Sequence, residues 1–129
     1  MKKTWVTKEF KFEAAHYLPG YDGPCNNLHG HSYKLAVSIA GPVDEKSGMV
    51  LDFTKLKQIV EECIISKLDH SCLNTCHVPG FPEDNPTAEN MVAWMGELLS
   101  VRIEYEYGLR LVFVKLWETE TSSAMWMPE

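Results

Sequence analysis

The chain has 129 residues, of which 45% are hydrophobic and 23% charged, so we expect one folded domain spanning residues 1–129. Its formal net charge of −6 argues against nucleic acid as a partner, because binding to a phosphate backbone requires a basic surface. The sequence contains neither an 18-residue apolar run nor an N-terminal signal sequence, so we expect a cytoplasmic protein with no membrane segment and reduced cysteines.

Two alternating stretches predict the first two strands of a sheet, each with one buried face. In residues 6–16 the buried positions are Phe10, Phe12, Ala14 and His16. Residues 18–27 are rich in glycine, proline and asparagine and predict a loop. In residues 29–39 the buried positions are His29, His31, Tyr33, Leu35, Val37 and Ile39.

Two helices and two more strands are predicted in the rest of the chain. Asp52 is a suitable N-cap for the first helix, and Asn85-Pro86-Thr87 opens the second. Their apolar positions recur at helical spacing: Leu56, Ile59, Val60, Cys63 and Ile64, then Met91, Trp94, Met95 and Leu98. Residues 109–117 and 124–127 predict strands. The order ββααββ predicts an α+β fold, in which two helices cover one face of a four-stranded antiparallel sheet.

The triplet His29-Gly30-His31 is the strongest indication of chemistry. In an extended chain, residues i and i+2 project to the same face, so both imidazoles can reach one ion. His16 ends the preceding strand, where antiparallel pairing can bring it alongside. Three histidines leave one tetrahedral position of a zinc ion open, as in catalytic sites. We therefore predict these three residues as zinc ligands; the alternative is loop histidines that share no ligand.

Cys25 lies four residues before His29, in the same predicted loop. A thiol near a divalent cation can serve as a base or nucleophile. It could instead be a fourth metal ligand, which would make the site structural, or a plain buried thiol. The polar, glycine-rich loop disfavours the buried thiol.

Asp69-His70 follows the first predicted helix directly. A carboxylate can fix the tautomer of an imidazole and raise its basicity, which suits proton transfer. The alternative is a histidine that bonds the last carbonyl groups of the helix.

Glu118 shares parity with Val112, Val114 and Leu116, so a regular strand points it to the apolar side. A carboxylate there needs a partner, and a ligand with paired N–H donors is suitable. The alternative is that the strand ends at Trp117 and Glu118 is solvated. One further set, Cys72, Cys76 and His77, has a spacing that could suggest a second metal site, but we interpret these as loop residues.

Six motifs in order resemble the 6-pyruvoyltetrahydropterin synthase / 6-carboxytetrahydropterin synthase family, over nearly the whole chain. They are 12–16 (Phe-Glu-Ala-Ala-His), 25–33 (Cys-Asn-Asn-Leu-His-Gly-His-Ser-Tyr), 48–53 (Gly-Met-Val-Leu-Asp-Phe), 68–70 (Leu-Asp-His), 85–90 (Asn-Pro-Thr-Ala-Glu-Asn) and 117–119 (Trp-Glu-Thr). The resemblance implies a T-fold, in which three subunits close their sheets into a barrel and two trimers form a hexamer with active sites at subunit interfaces.

The resemblance also implies residue roles. The three histidines would bind zinc, Cys25 would be the general base, and Asp69 with His70 would transfer protons. Glu118 would anchor the ring of a reduced pterin triphosphate, with Thr87 nearby.

Two activities of the family compete, and both begin with 7,8-dihydroneopterin triphosphate. One eliminates triphosphate to give 6-pyruvoyltetrahydropterin; the other releases acetaldehyde and leaves 6-carboxytetrahydropterin, a step toward queuosine and other deazapurines. The short interval between Cys25 and His29 resembles the carboxy-forming branch. From other classes, a non-catalytic zinc- or pterin-binding module and a structural zinc protein stay as alternatives.

Overall fold

A computed structural model describes residues 3–129, which form a five-stranded sheet in the order β3-β1-β2-β4-β5. The strands are β1 (Lys3–His16), β2 (His29–Pro42), β3 (Ser71–Cys72), β4 (Arg110–Thr119) and β5 (Ser122–Trp126). Neighbours pair antiparallel, except that β3 runs parallel to β1 through Ala14 and Ala15. The predicted α+β architecture is confirmed, but the strand count of four was too low because a two-residue strand has no sequence periodicity.

Two helices pack on one face of the sheet. Helix α1 covers residues 53–68 as Phe53–Val60, a π-helical turn Glu61–Ile65 and a last turn Ser66–Leu68. Helix α2 is Ala88–Tyr107 and ends at Gly108, whose φ of 63° is in the left-handed region that glycine favours. The predicted N-cap Asp52 is confirmed, since it accepts from the Thr54 N–H. The second helix begins after the predicted Asn85-Pro86-Thr87 opening, because Thr87 is its N-cap and accepts from the Asn90 N–H, so Pro86 lies before the helix and not in its first turn.

The core lies between the helices and the predicted inward face of β1 and β2. Phe12 and Tyr33 stack there with ring centroids 4.9 Å apart. The buried residues of the helices include all five predicted for α1, and Met91 and Met95 of α2, whereas Trp94 and Leu98 are only partly buried. His16 is fully buried at one end of this core. The candidate metal ligands His16, His29 and His31 at that end are therefore carried by well-packed strands.

A β-bulge corrects the predicted parity of β4. Phe113 pairs with Ser38 and Leu111 with Ile39, so Val112 is an extra residue. Leu111, rather than Val112, joins Val114 and Leu116 in the core. An alternating pattern shows which residues are apolar but does not show where one residue is inserted.

The opposite face of the sheet is open. Trp5 and Met125 are exposed on it, and the ammonium groups of Lys34 and Lys115 lie 4.2 and 4.6 Å from the ring centroid of Trp117. All four cysteines are free. Among residues 3–129, no helix is long and apolar enough to cross a membrane.

Candidate metal centre and active site

Three histidines meet where the start of β2 lies beside the end of β1. His16 and His29 are partners in the antiparallel ladder, and His31 follows on the same face of β2. Their ring centroids are between 4.7 and 5.0 Å apart. Strand pairing, which the alternating sequence specifies, is therefore what assembles the three rings.

Backbone carbonyl groups fix the tautomers of two of these histidines. Nδ1 of His16 donates to the carbonyl oxygen of Pro86 at 2.8 Å, and Nδ1 of His29 donates to that of Asn27 at 2.7 Å. Because a carbonyl oxygen only accepts, both Nδ1 atoms carry a proton, and each neutral ring keeps a lone pair on Nε2. Metal-binding histidines commonly have this arrangement.

Glu118 completes the group from β4. Its Oε1 lies 3.1 Å from Nε2 of His16 and 2.9 Å from Nε2 of His31, and the ligand atoms of the four side chains lie within 4.8 Å of one another. Both Nε2 atoms are buried, and neither has a hydrogen bond of acceptable geometry. At His16, the lone pair on Nε2 and the carboxylate oxygen repel each other at this distance, so a cation between them removes the conflict. Three imidazoles and a carboxylate therefore fit a divalent metal ion.

A second β-bulge lies at Glu118 itself. Trp117 pairs with Ser123 and Thr119 with Ser122, which leaves Glu118 without a partner on β5. Bulges occur next to active sites because they redirect a side chain. Since β4 continues to Thr119, the alternative in which the strand ends at Trp117 is wrong. The sequence predicted an inward carboxylate but gave no signal that it lies beside the histidines.

The electrostatics of the group reflect its partial burial. The histidines around Glu118, His16 first, lower the pKa of Glu118 through their protonated forms, although burial opposes this shift. Burial lowers the pKa of His31, and the negative charge of Glu118 offsets part of that effect. Burial, together with the charge of Glu118, raises the pKa of Tyr33, which lies beneath the histidines. The neutral imidazole, which is the form that binds metal, is therefore favoured at His31.

Asp69 and His70 form a pair at the edge of β1. Oδ1 of Asp69 lies 3.0 Å from Nδ1 of His70 and accepts from the backbone N–H of Glu13 at 2.9 Å. That N–H is the largest cause lowering the pKa of Asp69. His70 has φ of 60° and its N–H donates to the Glu13 carbonyl oxygen at 2.6 Å. The exposed imidazole therefore has a fixed backbone and an ionised partner.

Cys25 lies in a short 3₁₀ turn, Pro24–Asn26, that leads into β2. Its side chain is half-buried, and within residues 3–129 the group of ligand atoms does not include it. The structure therefore offers Glu118, rather than this thiol, as a fourth ligand. Cys72, Cys76 and His77 also form no metal-ligand group in the described chain, and His77 instead lies 3.5 Å from Glu83.

Two clefts each include one residue of the metal-ligand group, His31 in one and Glu118 in the other. One, of about 540 Å³, is lined by strand ends and by the segment after α1: Glu13, Ala14, Ala15, Gly30, His31, Ser32, His70, Ser71 and Cys72. The other, of about 500 Å³, is lined by Glu118, the start of α2 and β5. Thr87 caps α2 directly before Ala88 and Glu89, which line that second cleft. Both predicted pterin-contacting residues thus lie at or next to the second cleft.

Comparison with known proteins assigns the chain to a protein family. The sequence profile of 6-pyruvoyl tetrahydropterin synthase matches residues 5–129. The chain belongs to this family. It is 32% identical to 6-carboxy-5,6,7,8-tetrahydropterin synthase of Haemophilus influenzae, over 91% of this chain and 94% of that protein. It is 36% identical to the protein of the same name from Synechocystis, over 93% and 91%.

A solved structure of the family has the same fold. The 6-pyruvoyl tetrahydropterin synthase of Caenorhabditis elegans superposes with a TM-score of 0.85 at 29% identity, covering 100% of this chain and 98% of the other. The T-fold expected from the sequence motifs is confirmed. Membership of the family makes this chain an enzyme of the tetrahydropterin synthase type.

Proposed function

We propose that this enzyme is a cytoplasmic, zinc-dependent lyase that converts 7,8-dihydroneopterin triphosphate to 6-carboxy-5,6,7,8-tetrahydropterin, with release of acetaldehyde and triphosphate. The product would enter the biosynthesis of queuosine and other 7-deazapurines. The main support is the group of three imidazoles and a carboxylate, whose ligand atoms lie within 4.8 Å of one another and include two buried nitrogen atoms without a hydrogen-bond partner. The names of the bacterial relatives favour the same product.

Zinc would be held by His16, His29 and His31, because a set of imidazole nitrogens suits this ion. A bound zinc ion supplies Lewis acidity, which makes C–H and O–H bonds of the pterin side chain easier to deprotonate. The rigid strands and the two carbonyl partners keep the three rings in place without help from substrate.

Proton transfer is assigned to Cys25 and to the pair Asp69 and His70. Cys25 would remove a proton from the side chain of the substrate, since a thiolate close to a cation is a competent base. His70 would carry protons on the other side of that carbon framework, with Asp69 orienting its ring and stabilising its charged form.

Glu118 and Thr87 are assigned to the pterin ring. The aminopyrimidine edge of a pterin presents adjacent N–H donors, and a partly buried carboxylate is a strong acceptor for such a pair. Glu118 lines the 500 Å³ cleft, where the ring would lie against the first turn of α2.

A hexamer of two stacked trimers is part of the proposal. The open sheet face exposes Trp5 and Met125, and most of β1 and all of β5 have one unpaired edge within the described chain. Such edges are normally covered, and pairing with other subunits covers them. Residues from a neighbouring subunit would then close the two clefts.

A second candidate product is 6-pyruvoyltetrahydropterin, because the superposed nematode protein bears that activity in its name. The carboxy product is favoured in this chain because only three residues separate Cys25 from His29, and this short interval resembles the carboxy-forming branch of the family. The metal and proton-transfer residues would be the same for either reaction.

Mass spectrometry of the products tests the proposal directly. Zinc-loaded protein is incubated with 7,8-dihydroneopterin triphosphate, and we expect 6-carboxytetrahydropterin with acetaldehyde. Cys25→Ala should keep zinc and lose turnover, whereas Cys76→Ala, which removes another half-buried thiol, should behave like the wild type. Formation of 6-pyruvoyltetrahydropterin would show that the enzyme catalyses the second candidate reaction instead of the first. Zinc binding without any conversion would favour a binding module.

A further inference from the structure

The loop that carries Cys25, residues 17–28, has few contacts that hold it to the strands and helices. Only the side chains of Leu18 and Cys25 are half-buried, and the others are exposed. Within residues 3–129, two side chains hydrogen-bond this loop from outside it, those of His29 and Asn74. Burial therefore contributes little to the position of the thiol, and these hydrogen bonds have to fix the loop.

Asn74 binds the start of the loop with both ends of its side-chain amide. Its Oδ1 accepts from the Tyr17 N–H at 2.9 Å, and its Nδ2 donates to the Tyr17 carbonyl oxygen at 2.9 Å. The opposite amide orientation would place donor against donor and acceptor against acceptor, so the orientation is fixed. The next residue, Leu18, donates its N–H to the Cys25 carbonyl oxygen at 2.8 Å. The contact made by Asn74 therefore reaches Cys25 through one intervening residue.

The segment that carries Asn74 is itself well anchored. It lies in a 3₁₀ turn, Leu73–Thr75, that directly follows β3. Leu73 is fully buried, and β3 pairs with the end of β1. The same segment begins with Asp69 and His70, which also hydrogen-bond the backbone of β1. One side chain thus ties the loop of the thiol to the segment that carries the Asp69–His70 pair.

We propose that Asn74 is a positioning residue for Cys25. In the proposed function, on which this inference rests, Cys25 and the Asp69–His70 pair move protons on one substrate, so their relative position has to be fixed. The amide of Asn74 fixes it by joining the two segments. Even a small displacement of a reacting group lowers the rate of the chemical step strongly.

Two variants test this role on zinc-loaded protein. Asn74→Ala removes both hydrogen bonds, and Asn74→Asp keeps the acceptor but places a carboxylate against the Tyr17 carbonyl group. We expect kcat for 7,8-dihydroneopterin triphosphate to fall at least about tenfold in both variants. The KM and the zinc content should not change, because Glu118, Thr87 and the three histidines lie on other segments. Thr75→Ala, which changes an exposed residue of the same turn, is the matched control and should behave like the wild type.

The reactivity of the thiol is a second readout that does not depend on turnover. In both Asn74 variants, iodoacetamide should alkylate Cys25 at least about threefold faster, because a loop that is held less firmly opens more often. The amide hydrogens of residues 18–27 should exchange faster for the same reason. Mass spectrometry of the peptides that cover the loop measures both rates, again with Thr75→Ala as the control.

The outcomes separate this inference from the proposed function. Unchanged kcat, or unchanged alkylation of Cys25, in both Asn74 variants would overturn the inference and leave the proposed function intact. Loss of zinc together with activity would also overturn it, since the amide would then support the whole site rather than the thiol. If the wild type binds zinc but does not convert the substrate, the proposed function fails and the inference fails with it.

Discussion

Nδ1 of His16 donates a hydrogen bond to the backbone carbonyl of Pro86, 70 residues later in the chain. This contact joins the end of β1 to the segment that begins α2. Asn90, in the first turn of α2, bonds the carbonyl oxygen of Asn85 at 2.9 Å and so holds that segment in place. The orientation of a predicted metal ligand therefore depends on how α2 packs.

Removal of one imidazole should weaken metal binding. We expect His31→Ala to lower zinc affinity at least about a hundredfold, because it deletes a ligand rather than one of its supporting contacts. Competition with a chromophoric chelator would measure this. The control is His77→Asn, which changes an exposed histidine outside the group and should leave affinity unchanged. Full affinity in His31→Ala would refute its assignment as a ligand.

Glu118→Gln distinguishes two roles for this carboxylate. A neutral amide replaces one acceptor by a donor that faces the N–H groups of a pterin, so we expect about tenfold weaker pterin binding with zinc retained. Fluorescence titration and metal analysis of the same sample give both quantities. Loss of zinc from this variant would instead identify Glu118 as a fourth ligand.

The lowered pKa of Asp69 predicts a pH-dependent contribution to stability. Since its folded-state pKa lies below that of the unfolded chain, about 3.9, the carboxylate stabilises the fold above about pH 4. That contribution disappears as the pH falls through the folded-state pKa. Asp69→Asn should therefore be less stable than the wild type at neutral pH, and the difference should shrink in acid.

Urea unfolding of metal-free protein at several pH values would measure this difference. Glu120→Gln, which removes an exposed carboxylate in the turn between β4 and β5, controls for the change in net charge. A stability difference between wild type and Asp69→Asn that is the same at every pH would contradict the prediction.

Gly96 is required where α2 crosses β5. A Cβ atom at this position would overlap the indole ring of Trp126. We expect Gly96→Ala to destabilise the protein by about 1–3 kcal/mol, because overpacking outweighs the gain of about 0.5–1 kcal/mol from helix propensity. Thermal denaturation would measure the change. In a Trp126→Leu background the same substitution should cost less, and an equal cost in both backgrounds would show that the ring is not responsible.

The sequence predicted the features that depend on local periodicity. The buried face of β1 and β2 and the N-cap Asp52 follow from spacing and residue type alone. The grouping of the histidines follows from the same alternation, because it requires only the pairing of two consecutive strands.

Features that depend on contacts between distant segments could not be predicted in this way. The carbonyl partner of His16 and the parallel pairing of β3 with β1 join residues more than 50 positions apart. The approach of Glu118 to the histidines depends on how far β4 extends along β2, and no residue type marks the bulge at this position.

The extra residue at Val112 makes this part of β4 tolerant of the loss of one residue. Leu111 reaches the core on one side of the bulge and Val114 and Leu116 on the other, while Phe113 pairs with Ser38 and Leu111 with Ile39. Deleting Val112 would leave Leu111, Phe113 and Val114 in regular alternation, so Leu111 and Val114 would both stay in the core. Deleting Lys115, where the strand has no bulge, would instead turn one part of β4 to its other face, either Val114 or the segment from Leu116 to Glu118. A one-residue deletion is therefore expected to be far more harmful at Lys115 than at Val112.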